Sequence, residues 1–166
     1  MIARGALILL LMALSGCGLQ PLYREGGQGA VATTLRSVSV GPIEGQAGWL
    51  MRNKLVDRLG VGSAEAPAYR LDVTLDDNLT SYGLRADRAA TQERRTLRAR
   101  YQLVDLSNGA VVLDETAGSD ASVDVVSSEY ATVAAEQTSL ENLSGIVADQ
   151  IVARLAIYAA RTTHPK

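Results

Sequence analysis

The sequence predicts an α+β domain: a four-stranded sheet with two helices packed on one face, in the order β-α-β-β-β-α, a two-layer sandwich. Three observations lead there. Tyr69–Leu75 and Leu97–Leu103 alternate apolar with polar residues, the period-two pattern of strands with one buried and one wet face. Gln46–Leu59 and the run from Glu129 to Tyr158 repeat apolar residues every three or four positions, the stripe of an amphipathic helix. Finally, three consecutive strands cannot close a barrel alone, so both stripes need cover from one face of the sheet.

Each element has local reasons. In "LRSVSVGPI", Val38 and Val40 alternate and Gly41-Pro42 ends the run, a first strand. Met51, Leu55 and Leu59, with Val56 beside them, form the first helical stripe, and Gly60 is a natural stop. "GVGSAEAP" is loop. Tyr69, Leu71, Val73 and Leu75 then alternate with Arg70, Asp72, Thr74 and Asp76. "TSYGLRADRAATQER" is polar and long for a hairpin connection, its ends placed to extend the flanking strands. Leu97, Ala99, Tyr101 and Leu103 alternate with Arg98, Arg100 and Gln102; Asn108-Gly109 carries the chemistry of a tight turn, and "VVLDETAG" returns as a strand. Ser127 or Ser128 caps the last helix, with Glu129 at the positive end of its dipole. Its stripe runs Tyr130, Val133, Gln137, Leu140, Leu143, Val147, Ile151, Leu155 and Tyr158 over about 45 Å. Gly145 is the weak point near its middle.

The front of the chain is of another kind. Arg4 precedes an unbroken apolar run, "ALILLLMAL", followed by the small residues Ser15 and Gly16 and then Cys17. Positive start, short apolar run and small cleavage site make a secretory signal peptide. The run is too short to span a bilayer, which takes roughly 20 residues. A cysteine directly after the small pair turns the signal into a lipobox. Its thiol takes a diacylglycerol, cleavage makes it the new N-terminus, and its amine is acylated. Two or three chains, at about 0.8 kcal/mol per buried methylene, hold a protein on a membrane where one would not. The plainer alternative is that Cys17 merely ends the apolar run of a secreted or membrane-held protein.

The organisation that follows is residues 1–16 as a lipoprotein signal peptide, 17–34 as lipidated N-terminus and flexible tether, 35–160 as a single domain and 161–166 as a disordered tail. No second apolar run is long enough to cross a membrane, so the mature chain is anchored but not inserted. Cys17 is the one cysteine, so no disulfide forms, and with no Phe the core is Leu, Val, Ile, Ala and Tyr.

Catalysis finds little support. The single histidine, His164, is in the tail, and Cys17 is committed to lipid, so no nucleophile–histidine pair assembles. Asp76-Asp77-Asn78 reads as a bulge or strand end. No Cys/His cluster, calcium-loop spacing or Gly-rich phosphate loop is present. A net charge of −2 argues against a general polyanion binder, and the exported chain, whose wet strand face lacks aromatics, argues against nucleic acid.

One window stands apart: Arg85, Arg88, Arg94, Arg95, Arg98 and Arg100 crowd together with only Asp87 and Glu93 as acids. On a structural reading, Arg98 and Arg100 pair with Asp72 and Asp76 across strands or guard an edge. On a functional reading, the guanidinium cluster binds the phosphate or carboxylate groups of envelope lipids, lipopolysaccharide among them.

"LSGCGLQPLY" resembles the start of the lipopolysaccharide-assembly lipoprotein family, LptE, in its alphaproteobacterial form. "YRLDVTL" resembles that family's second strand, "RRTLRARYQLVDLSNGAVVLDE" its central hairpin, and "ADQIVARLAIY" the end of its last helix. The resemblance covers nearly all of the mature chain. It implies a non-enzymatic, lipid-anchored protein at the outer membrane, on the periplasmic side. Such a protein plugs and helps assemble a large β-barrel partner and binds lipopolysaccharide on its way to the outer leaflet. It implies no cofactor beyond the covalent diacylglycerol and N-acyl lipid at Cys17. Gly18, where an aspartate would signal inner-membrane retention, agrees with the outer membrane. Two rivals share the anchor and a small α+β domain: an auxiliary lipoprotein of a lipid ABC transporter, and a structural envelope lipoprotein without a ligand.

Overall fold

The structure, a computed structural model, describes residues 29–60, 66–84, 90–126 and 128–163. The readings placed on Cys17, Arg85, Arg88 and His164 lie outside the described residues. The chain runs α1 (Ala30–Arg36), β1 (Val38–Val40), α2 (Gly45–Leu59), β2 (Tyr69–Leu84), β3 (Ala90–Asp105), β4 (Val111–Asp124) and α3 (Glu129–Thr163). The sheet order is β1-β2-β3-β4. β1 and β2 are parallel because α2 crosses between them; β2–β3 and β3–β4 are antiparallel hairpin pairs. Helices α2 and α3 lie on one face, α2 over β1 and β2, α3 over β3 and β4. The expected α+β class and one-sided packing are what the chain adopts.

Both alternating segments point as their pattern requires. Leu71 and Val73 of β2, with Leu97, Ala99, Tyr101 and Leu103 of β3, are buried against Met51 and Leu55 of α2 and Leu140, Leu143, Val147, Ile151 and Leu155 of α3. Burying one such side chain stabilises by roughly 1.5–3 kcal/mol relative to leaving it in water. Gly60 caps α2 in the left-handed region (φ 66°), its N–H donating to the Val56 carbonyl. Arg58 of α2 pairs with Asp149 of α3, and Gln46 Nε2 donates to Gln137 Oε1 at 3.0 Å, so the helices are joined at both ends of their contact.

Several expectations change. The chain from Ala30 to Thr34, read as tether, is helical, as are Leu35 and Arg36, read as the start of the first strand. Seven residues are too few for an independent helix. Tertiary contact sustains this one: Leu35 is buried, and α1 packs on α3 and β1. The polar stretch after Asp76 is no long connection, since β2 runs unbroken to Leu84 and β3 begins at Ala90. Asp76 and Asp77 therefore sit in mid-strand, facing opposite sides of a regular ladder, Asp76 opposite Arg98 and Asp77 opposite Leu97.

Gly145 does not interrupt α3, whose 35 residues are continuous. By length and composition Glu129–Thr162 is apolar enough to cross a bilayer, contrary to the expectation that no run after the leader is. In the fold, the stripe from Leu140 onward is instead buried in the core. The first two members of the stripe find no cover: Tyr130 and Val133 are 86% and 55% exposed.

Candidate functional site

The sheet face turned away from the helices is built by parity. On β3, Leu97, Ala99 and Tyr101 face the helices, so Arg94, Thr96, Arg98 and Arg100 face outward. Register adds Asp72, Thr74, Asp76, Asn78 and Thr80 from β2, and Asp114, Thr116, Gly118, Asp120 and Ser122 from β4. The middle of the face is polar, with both charge signs interspersed, but it also carries Tyr82, contrary to the expectation that this face lacks aromatics.

The arginines on it are not equivalent. Arg100 is held by Asp114 (Nη2–Oδ2 2.9 Å, Nε–Oδ1 3.2 Å), to which Gln102 also donates. The Arg100 guanidinium, with help from Gln102, pulls the Asp114 carboxyl down to about 2. Arg94 lies 3.9 Å from Asp120 and stacks its guanidinium over the Tyr82 ring at 5.7 Å. Arg98 has no ion-pair partner among the described residues. It lies flat across β4 because its neighbour there is Gly118: a Cβ at that position would come within 2.6 Å of Arg98 Cδ and 2.8 Å of its Nη1. The expected pairing of Arg98 and Arg100 with Asp72 and Asp76 does not occur. Asp72 accepts from Arg70 instead, at 2.9 and 3.0 Å.

Arg95 belongs to the other face. It shares parity with Leu97 and points toward α3, where Nε and Nη2 bond both oxygens of Asp77 at 2.8 and 2.6 Å and Nη1 donates to the Glu136 carbonyl at 3.0 Å. Its side chain is 15% exposed and that of Asp77 23%. Glu93, whose Oε1 accepts from Ser81 at 3.0 Å, adds a carboxyl whose buried Oε2 has the Glu136 carboxyl as its neighbour among the described residues. Burial, then the neighbouring Glu93 carboxyl, push the Glu136 carboxyl above the usual range. Arg95 is thus the cation that holds Asp77 and faces Glu136 beneath the helix. The structure brings Arg94, Arg98 and Arg100 together and leaves Arg95 out.

A second polar knot joins sheet to helix. Arg154 of α3 grips Glu115 of β4 with two bonds of 2.6 Å, and Tyr101 donates to Glu115 at 3.5 Å. Burial first, then the Glu115 charge, push the Tyr101 phenol up to about 12, so it stays a neutral donor. Among the described residues no group of three His, Cys, Asp or Glu side chains is placed to hold a metal ion.

Sequence reading missed Tyr82 as the ring under Arg94 and Gly118 as the space that Arg98 occupies. Tyr82 was hidden by the assumption of a loop, Gly118 by the absence of any side chain to notice.

No curated protein matches the sequence. Among solved structures, a proposed lipoprotein from Caulobacter crescentus CB15 is similar over 78% of this chain and 96% of its own, at 27% identity and a TM-score of 0.66. The rare lipoprotein B from Shewanella oneidensis shares the fold over 76% of this chain and 98% of its own (10% identity, TM-score 0.59). A minor lipoprotein from Acinetobacter baumannii does so over 73% and 90% (16% identity, TM-score 0.56). The family model for lipopolysaccharide assembly, LptE, matches residues 35–155, from the end of α1 to the last turns of α3. The chain belongs to the LptE lipopolysaccharide-assembly family, a family of lipoproteins and not of enzymes.

Proposed function

We propose that the protein is the lipoprotein subunit of a lipopolysaccharide export translocon. Acyl chains on Cys17 hold it to the outer membrane from the periplasmic side. Its domain plugs a large β-barrel partner, assists the assembly of that barrel, and binds lipopolysaccharide for delivery to the outer leaflet. The observation that carries the ligand half is Arg98, a guanidinium on the open sheet face with no carboxylate among the described residues to displace. An arriving phosphate meets Arg98 directly, while Arg94 is released from a 3.9 Å contact with Asp120 and Arg100 from its shared grip on Asp114. Bidentate recognition of phosphate is what an arginine fork offers and an ammonium does not. For the barrel half, support comes from the same face being polar through its middle, from Asp72 to Thr80 and Asp114 to Ser122, as suits a hydrated lumen lined by polar side chains.

Replacing Arg94, Arg98 and Arg100 together by Gln tests the ligand half. At about 0.5–1 kcal/mol for each exposed contact, lipopolysaccharide affinity falls by about tenfold to a hundredfold while the urea midpoint holds. Unchanged affinity would return these side chains to a role in lacing the strands. Co-purification from detergent extracts tests the partner: a large barrel protein supports the translocon, a permease or ATPase a lipid transporter. An unmodified Cys17 thiol in the native product, read by mass spectrometry, would remove the anchor.

A further inference from the structure

The outer edge of β4 carries a feature that the anionic-ligand reading does not use. In an antiparallel pair, alternate residues turn N–H and C=O away from the partner strand. Gly118 identifies the set, because its N–H donates to Gln150 Oε1 of α3 at 3.1 Å instead of to β3. The register continues without a shift from Gly118 to Asp124, so Asp120, Ser122 and Asp124 also point their backbone groups outward. Along the first half of this edge α3 provides cover, Arg154 on Glu115 and Gln150 on Gly118. Among the described residues, the cover stops beyond Gly118. The helix there presents Ala131, Ala135 and Thr138, and between them and β4 lies an open groove of about 570 Å³ with Val123 and Leu143 in its lining. Ser139 lines it too; the residue is 8% exposed and its hydroxyl has no hydrogen-bond partner among the described residues.

An unpaired strand edge and an apolar groove on the same five residues are what strand addition needs: backbone bonds for affinity, a trough for alternate side chains. The charges on the other face select the occupant. Asp120 and Asp124 flank the edge there, Asp120 only 3.9 Å from Arg94 at best and Asp124 accepting a 3.2 Å bond from the Gln92 amide. We propose that β4 from Asp120 to Asp124 is a docking edge for an extended segment of a partner protein. That segment alternates apolar residues, which enter the groove, with basic residues, which lie over Asp120 and Asp124. A second copy is a poor occupant, since antiparallel pairing about Ser122 sets Asp120 of each chain opposite Asp124 of the other, and like charges directly opposed are destabilising. An anionic lipid meets the same two carboxylates.

The probe is an acetylated, amidated heptapeptide alternating valine with lysine, added to the full chain isolated as the cell makes it. Amide hydrogen exchange at Asp120, Ser122 and Asp124 is the readout. The lysine peptide slows exchange there tenfold or more at about 1 mM, and a version with glutamate for lysine protects at least tenfold less. Ser122→Pro removes an outward N–H without breaking the ladder to β3 and abolishes the protection. Ala135→Trp fills the groove from an exposed helix position and does the same, which keeps the test valid if the proline variant fails to fold. The proposal is overturned by an absence of protection, by equal protection from the glutamate peptide, or by protection that survives both substitutions. Protection that grows with protein concentration alone assigns the edge to a second copy, and protection by decanoate assigns it to a lipid; either result overturns the proposal.

Discussion

Arg95→Ala separates a structural arginine from its exposed neighbours. Its three hydrogen bonds, two to Asp77 and one to the Glu136 carbonyl, are made by a side chain 15% exposed. Breaking a fully buried ion pair costs about 3–5 kcal/mol, and a hydrogen bond to a charged group is worth about 1.5–3. Water reaches this site in part, so the expected loss is about 2–3 kcal/mol. The loss includes leaving Asp77 without its cation and Glu136 without the charge that favours its carboxylate. Arg98→Ala removes no ion pair among the described residues and shifts stability by about 0.5 kcal/mol or less. Equilibrium urea unfolding of both variants, followed by circular dichroism, measures the difference, and Asp77→Ala with the double variant isolates the pairwise part. Lipopolysaccharide affinity reverses the order: it weakens for Arg98→Ala and holds for folded Arg95→Ala. Equal urea midpoints for the two single variants would refute the division between the faces.

Glu136→Gln tests the acid cluster through pH. A carboxyl raised above its ordinary range by burial and by Glu93 holds its proton more tightly in the folded state. Its stabilising contribution is complete below the ordinary carboxyl range and is lost as pH rises through the raised value. The glutamine variant therefore unfolds at higher urea than the parent at about pH 7.5, with the gap closing toward about pH 4. Gly145→Ala stabilises by about 0.5–1 kcal/mol, because helix propensity improves and the new Cβ meets only Arg58 Nη2, at an ordinary 3.7 Å. A lower urea midpoint for that variant would show that the glycine is needed. Gly118→Ala drives a methyl into Arg98 Cδ at 2.6 Å, and the flexible arginine yields. Lipopolysaccharide affinity falls by threefold or more while stability changes by about 1 kcal/mol or less, because the Leu97 carbonyl at 3.0 Å must also give slightly.

Where one face of an element meets the core, its pattern was readable. Leu71 and Val73, Leu97 to Leu103, and the stripe from Leu140 to Leu155 each follow the period of their element, and all are buried. Periodicity failed where there is no core to impose it. From Asn78 to Gly83, β2 is exposed residue by residue, so no alternation marks it as strand. The ladder is carried instead by cross-strand polar pairs such as Ser81 with Glu93 and Tyr82 with Ser122. α1 escaped for the opposite reason: one buried leucine in seven residues makes no stripe. The side taken by Arg95 was legible. It stands two residues before Leu97, and parity alone puts it beneath the helix, but a reading that counted charges grouped it with Arg94 and Arg98.

Apart from α1, these failures fall at one end of the molecule, and for one physical reason. Tyr69 of β2 and Tyr158 of α3 meet edge to face near the helix C-terminus, ring centroids 6.3 Å apart, and α1 and α2 both pack on the same helix. Toward the other end the strands continue past the last buried residues of the helix, and Tyr130 and Val133 have nothing to rest on. Side chains freed from packing are freed for contact. Arg94 on Tyr82, the unpaired edge from Asp120 to Asp124 and the groove under Ala135 all lie in this thinly packed half. Substitution there costs little core energy, so its residues can be chosen for what they meet outside the fold. Arg95 stands at the boundary between the halves, tying the Glu136 turn of α3 to Asp77 of β2.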